Sequence, residues 1–188
     1  MSLITIVETK DIVSIISDGQ KTGPEGNIVG TGFQKFYATN NFFIAVSHSE
    51  AVARVLFEHF EEVKADKDYV KNLIDEEAHQ YNHEYCIVFC NCKNDKSIYT
   101  VYKHFNKEFE VQDYVLEDYF PILMHSDYLN EVSIDHVKYK INQMILENKS
   151  NEEIMQVQKD FHQYASNNDP TVNDEIFHHI IYKQEIIE

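Results

Sequence analysis

Residues 2–20 read SLITIVETKDIVSIISDGQ, and this stretch decides the fold. Two runs rich in β-branched residues, LITIVET and IVSIIS, flank a short polar turn, which predicts a β-hairpin over residues 3–17. The second strand ends on Asp18, followed at once by Gly19. All five glycines of the 188-residue chain (Gly19, Gly23, Gly26, Gly30 and Gly32) then fall between positions 19 and 32. Glycine permits positive φ and close backbone approach. The loop is therefore either a flexible insertion or a device that brings backbone and polar groups around a site near the N-terminus.

Working outward, QKFYATNNFFIAVS predicts a second hairpin that turns at Thr39-Asn40-Asn41. Ser47 and Glu50 have capping-box spacing, and Val52, Val55, Leu56, Phe60 and Val63 form the apolar stripe of a helix behind them. A second helix is expected from Asp66 as N-cap to about Gln80. YCIVFCNC and SIYTVYKHF read as strands, with short extended segments continuing to about Leu123. Two further helices are expected over 127–147 and 150–165, the latter opened by the Ser150–Glu153 capping box. EIFHHIIYKQEII closes the chain as a strand. Strands in blocks separated by helix pairs imply an α+β fold with antiparallel sheets and helices on the outer faces. No internal repeat or long linker divides the chain, so residues 1–188 are expected to form one domain.

Composition excludes several functions. A formal net charge of −16 repels nucleic acid and anionic membrane surfaces. No apolar run approaches the length of a membrane span, and MSLITIVETK lacks the features of a signal peptide. The three cysteines then read as reduced thiols of a cytoplasmic protein. Cys86, Cys90 and Cys92 share one side of a strand, with His79 and His83 upstream. Alternate residues of a strand lie about 6.5 Å apart, too widely spread for one tetrahedral ion. Buried core thiols account for them better, and neither a metal nor a cofactor is expected.

At this point the chain resembles the proteasome β-subunit and HslV-type peptidase family. That family's fold is the four-layer αββα sandwich of N-terminal-nucleophile (Ntn) hydrolases, built on two antiparallel sheets. Its first strand opens on a nucleophilic Thr and leads into a hairpin whose second strand ends in a catalytic Asp. Residues 2–20 match that framework without a gap, with Asp18 at the Asp position, and SDGQ is similar to the GDGQ of the HslV branch. The glycine loop resembles the one leading to a catalytic Lys, and LFEHFE (56–61) is similar to the HslV segment at that point. The resemblance extends over nearly the whole chain.

By this resemblance the catalytic set is Ser2, Asp18, Lys35, Ser126 and Asp169. Ser2 occupies the nucleophile position and is competent only once Met1 is removed, because the terminal amine serves as base. Counting from Asp18 reaches Gln34, while one extra loop residue places Lys35 at the Lys position. Ser126 matches the Ser of a Gly-Ser-Gly turn whose glycines are here His125 and Asp127. His48-Ser49 stands where the family has Gly-Ser, so a side chain there would crowd or alter the pocket. Asp169 keeps the Asp of Asp-x-x-Ser-Gly-Gly, while Val172, Asn173 and Asp174 replace the last three.

Two functions follow from the resemblance. The first is a divergent proteasome-like protein with degenerate or weak peptidase activity and a binding or assembly role. The second is an active peptidase or amidase that uses Ser2, with Lys35 and Asp18 tuning it and Ser126 and Asp169 in support. The family also implies self-association as a ring or dimer, a peptide or protein substrate, and an ATP-driven unfoldase as partner.

Overall fold

The computed structural model describes residues 3–23, 27–60, 67–77, 84–92, 97–115, 122–124 and 129–183. The first hairpin forms as its alternation predicts. Strands β1 (Ile4–Glu8) and β2 (Ile12–Asp18) pair antiparallel, with Ile4 opposite Ser17 and Glu8 opposite Val13. The glycine loop carries a short ribbon of β3 (Lys21–Thr22) and β4 (Ile28–Gly30). The second hairpin is β5 (Phe36–Ala38) with β6 (Phe42–Ser47), and helices α1 (Glu50–Phe60) and α2 (Lys67–Glu77) follow. Strands β7 (Tyr85–Asn91), β8 (Ile98–Phe105), β9 (Glu108–Val115) and β10 (Ile122–Met124) come next. Helices α3 (Glu131–Leu146) and α4 (Asn151–Asn168) lead to β11 (Ile176–Tyr182).

Among the described residues, one sheet runs β10-β1-β2-β11 and the other β5-β6-β7-β8-β9, with every pairing antiparallel. Side-chain parity then builds the layers. Ile4 and Ile6 of β1 and Val13 and Ile15 of β2 meet Phe43, Ala45, Val88 and Tyr99 between the sheets. On the other face of β1, Leu3 packs with Ile134 and Phe161, and Val7 with Ile141 and Ile154. Ile44, Val46, Ile87 and Phe89 turn away from the inter-sheet core toward Val52, Leu56, Phe60 and Ile74 of α1 and α2. The result is an α+β sandwich with helices outside two stacked sheets. Both faces of β2 are covered, and every residue from Ile12 to Asp18 is buried.

Several expected boundaries move. The Ser47–Glu50 spacing does not cap α1, because Ser47 is the last residue of β6 and His48 turns the chain at φ 74°. Ser49 Oγ accepts the Val52 amide instead. Helix α3 begins after Asn130, whose side chain accepts the Ser133 amide, rather than at 127. Ser150 and Glu153 form the reciprocal capping box of α4, which runs beyond Ala165 to Asn168. The extended region after β8 is a full strand, β9, reached through Asn106 and Lys107 at φ 53° and 68°. These paired left-handed residues suit a tight hairpin turn. The expected Asp66 cap, the end of the second helix near Gln80 and the tail of the closing strand lie outside the described residues. No helix among the described residues is long and apolar enough to cross a membrane.

Candidate active site

Asp18 ends β2 fully buried, and its carboxylate organises three segments. Oδ1 accepts the Leu3 amide at 2.8 Å and the Lys35 ammonium at 2.5 Å, and Oδ2 accepts the Gln20 amide at 3.0 Å. The glycine loop returns the chain so that Lys35, just before β5, points at β2. Lys35 is 2% exposed. Its backbone is tied to both sides, N–H to Ser17 Oγ at 3.4 Å and C=O to the Val46 amide at 2.9 Å. Gln34 turns outward, and its side-chain amide donates to the Phe36 carbonyl. Of the two residues that counting left open, Lys35 is therefore the one that meets Asp18.

Two glycines of the loop have local reasons. Gly32 lies at φ 77°, which favours glycine. A Cβ on Gly19 would come within 2.1 Å of Glu175 Oε2 and 2.9 Å of the Phe177 ring. Glu175 Oε2 also accepts the Gly32 amide at 2.8 Å, so β11's leading edge fastens the loop.

Burial lowers the Lys35 pKa, against the opposing pull of the Asp18 carboxylate and, more weakly, the Asp169 charge. Asp169 closes α4 and is 1% exposed. Its Oδ1 accepts the Thr171 amide at 2.8 Å and the Thr171 hydroxyl at 2.6 Å. It thus orders the turn through Pro170 while its charge acts on Lys35. The residues at the expected Ser-Gly-Gly positions have packing and bonding partners of their own. Val172 joins the Leu3–Phe161 cluster, and Asn173 Oδ1 accepts the Gly19 amide at 3.0 Å. Ser2 and Ser126 lie outside the described residues, so the structure brings together Asp18, Lys35 and Asp169 of the five expected residues.

An open pocket adjoins Lys35, with Gln20, Lys21, Phe33, His48 and Glu50 among its walls. His48 is exposed, with its ring edge-on to Phe105 at 5.1 Å and Nδ1 2.9 Å from Ser47 Oγ. The turn thus keeps a glycine-like backbone while carrying an imidazole.

A second polar network lies beneath, between α4 and the β1–β2–β11 sheet. Gln158 Nε2 donates to Thr5 Oγ1 and the Thr5 carbonyl, both at 2.9 Å, and Ser14 Oγ donates to Gln158 Oε1 at 2.7 Å. His162 Nε2 lies 2.9 Å from Thr5 Oγ1. Sequence patterning missed Gln158 and His162, although their i+4 and i+8 spacing from Ile154 puts both on the buried stripe of α4 with Val157, Phe161 and Ala165. It also missed Thr171 and Asn173 as partners, although both fall in the stretch from Asp169 to Asp174 that aligns with Asp-x-x-Ser-Gly-Gly. Gln20 was within reach: it stands in SDGQ, and its Nε2 donates to the Pro170 carbonyl at 2.6 Å.

The cysteines correct one geometric expectation. Cys90 and Cys92 are buried among inter-sheet residues with Cys86 packed beside them, yet Cys90 Sγ and Cys92 Sγ are 3.4 Å apart. This is far closer than strand spacing implies, because Cys92 lies past the end of β7. Burial pushes the Cys86 thiol up to about 11. No group of three potential metal ligands occurs among the described residues.

Two antiparallel sheets face to face with helices outside both make a proteasome-like αββα sandwich, the Ntn-hydrolase fold. Three solved structures share it. Eukaryotic HslV from Trypanosoma brucei aligns at 14% identity over 96% of this chain and 99% of its own, with a TM-score of 0.59. Anbu, an ancestral beta-subunit, from Yersinia bercovieri aligns at 11% identity, 96% and 81% coverage and a TM-score of 0.62. A Gly-1 mutant of Anbu from Hyphomicrobium sp. strain MC1 aligns at 8% identity, 100% and 89% coverage and a TM-score of 0.63. No protein-family model matches the sequence, and no curated protein matches it.

Proposed function

We propose that the chain is a divergent amide-bond hydrolase of the N-terminal-nucleophile type, with Ser2 as nucleophile once Met1 is removed. The observation that carries this reading is the shared oxygen of Asp18, which binds both the Lys35 ammonium and the Leu3 amide, the nitrogen acylated by residue 2. A buried ion pair adds little net stability compared with well-packed apolar residues. This pair also stands beside an open pocket, where the Lys35 charge can act on a reacting group.

In this mechanism Ser2 Oγ attacks a substrate carbonyl carbon and its proton passes to the Ser2 α-amine. The tetrahedral adduct collapses as that proton is given to the leaving amine, leaving an acyl ester on Ser2. Water, deprotonated by the same amine, hydrolyses the ester and restores the hydroxyl. Lys35 supplies a positive field that favours the alkoxide, Asp18 orients Lys35, and Asp169 and Ser126 support the amine.

Intact mass of protein made in its own cell tests the first requirement, since retained Met1 rules out the Ser2 mechanism. Labelling by a peptide β-lactone, lost in Ser2→Ala, is the expected positive result. A non-hydrolytic binding or assembly role is the second reading, favoured by the imidazole at the His48 turn. Absence of labelling with Met1 removed would select it. Either reading includes self-association as a ring or dimer, supported by the likeness to a structure described as a beta-subunit. Light scattering that shows a monomer would remove that part.

A further inference from the structure

Cys90 and Cys92 form a thiol pair that the hydrolase reading does not use. Cys90 is fully buried, Cys92 is 7% exposed, and their sulfurs lie 3.4 Å apart. Main-chain contacts hold both residues in place. Cys90 stands in β7 opposite Phe43 of β6 and Tyr99 of β8. Cys92, just past the strand, donates its amide to the Asn41 carbonyl at 2.8 Å. Alternate strand residues lie about 6.5 Å apart at Cα, within the span of a disulfide. The two sulfurs need to close by only about 1.4 Å to reach a bond of about 2.05 Å. Cys86 is set apart, four residues along the strand and about 13 Å from Cys90. Apolar packing accounts for one buried thiol, but it does not require two sulfurs to meet.

We propose that Cys90 and Cys92 close into a reversible intramolecular disulfide when the protein meets a hydroperoxide, which makes the end of β7 a redox-sensitive modification site. Exposure sets the order of events. Cys92 has an edge open to solvent and Cys90 has none, so a small peroxide reaches Cys92 Sγ first. The Cys92 thiolate attacks one peroxide oxygen, the O–O bond breaks, and the departing hydroxide takes up the proton that the thiol released. The product is a sulfenic acid on Cys92. Cys90 Sγ then attacks Cys92 Sγ, the S–O bond breaks, and hydroxide leaves with the Cys90 proton as water. Two thiols and one peroxide thus give one disulfide and two waters. Burial, then the bond to Cys92 and the charges of Cys92 and Glu8, push the Cys90 thiol well up, so it stays protonated at neutral pH. That suits the second thiol to react rather than the first.

The test counts thiols. Protein reduced with dithiothreitol and then freed of it is treated with a small molar excess of hydrogen peroxide, quenched with catalase, unfolded and alkylated with iodoacetamide. Intact mass should show one alkylated cysteine in place of three. Fragment spectra should place the disulfide between Cys90 and Cys92, and dithiothreitol should restore all three thiols. Cys86→Ser should leave the disulfide unchanged. In Cys90→Ala, dimedone should trap the Cys92 sulfenic acid, whereas Cys92→Ala should give no dimedone adduct at Cys90. Three alkylated cysteines after peroxide, a disulfide that includes Cys86, or over-oxidation of Cys92 with Cys90 still free would overturn the proposal. An adduct at Cys90 in Cys92→Ala would overturn the order of attack. The wild-type thiol count decides the matter by itself where a cysteine variant fails to fold.

Discussion

Lys35 Nζ lies 2.5 Å from Asp18 Oδ1, and the same oxygen accepts the Leu3 amide, so three segments converge on one buried atom. Replacing Lys35 with Met leaves Asp18 buried with backbone donors but no cation. The expected loss is about 3–5 kcal/mol, the usual result of breaking one side of a buried pair. Asp18→Asn combined with Lys35→Met should recover part of that loss, because no uncompensated charge remains. Urea unfolding of the two single variants and the double variant checks this, and simple additivity would contradict it.

His162 makes stability pH-dependent. Burial, then the charges of Lys35 and His178, lower its pKa from the ordinary 6.5 to about 3. The folded protein keeps the ring neutral while the unfolded chain protonates near 6.5. Between those values the unfolded state binds more protons, so stability falls as pH drops through the window. The contribution is at most about 1.4 kcal/mol per pH unit. Urea midpoints at pH 7 and pH 5 should differ more in the wild type than in His162→Gln. Equal differences would show that other groups carry the acid sensitivity.

His48 holds φ 74° at a turn where glycine has no steric penalty. His48→Gly should raise stability by up to about 1 kcal/mol, the strain relief exceeding the added freedom of the unfolded chain. It also opens the turn beside Lys35, and β-lactone labelling should become faster. A lower urea midpoint would mean that the contacts with Ser47 and Phe105 outweigh the strain.

Glu8 anchors the other end of the first strand. Its carboxylate accepts Ser97 Oγ at 2.7 Å and Tyr99 OH at 2.5 Å and pairs with Lys183, tying β1, β8 and the end of β11 together. Lys183→Met should cost about 3–5 kcal/mol by leaving Glu8 without its cation. Tyr99→Phe removes one bond to a charged acceptor and should cost about 1.5–3 kcal/mol. Thermal or urea unfolding that ranks them in the reverse order would assign the anchor to Tyr99.

Local sequence determined the elements with strong periodicity. The β-branched runs of residues 3–17 marked the β1–β2 hairpin, whereas which side chains face the inter-sheet core was decided by the stacking, because both faces of β2 are buried. Ser150 and Glu153 marked the start of α4 because a capping box is complete within four residues. Asp18 was legible as a strand end before glycine, and the glycine cluster as a loop. Only the tertiary structure chose Lys35 over Gln34, since adjacent residues point opposite ways and the loop's path decides which faces β2. It also moved the α1 cap from Ser47 to Ser49, where a positive φ at His48 overrides the spacing. The Glu8–Lys183 pair and the Thr5–Gln158–His162 network join segments from distant parts of the chain. Periodicity specifies which face is buried, whereas the partner met there depends on how sheets and helices stack.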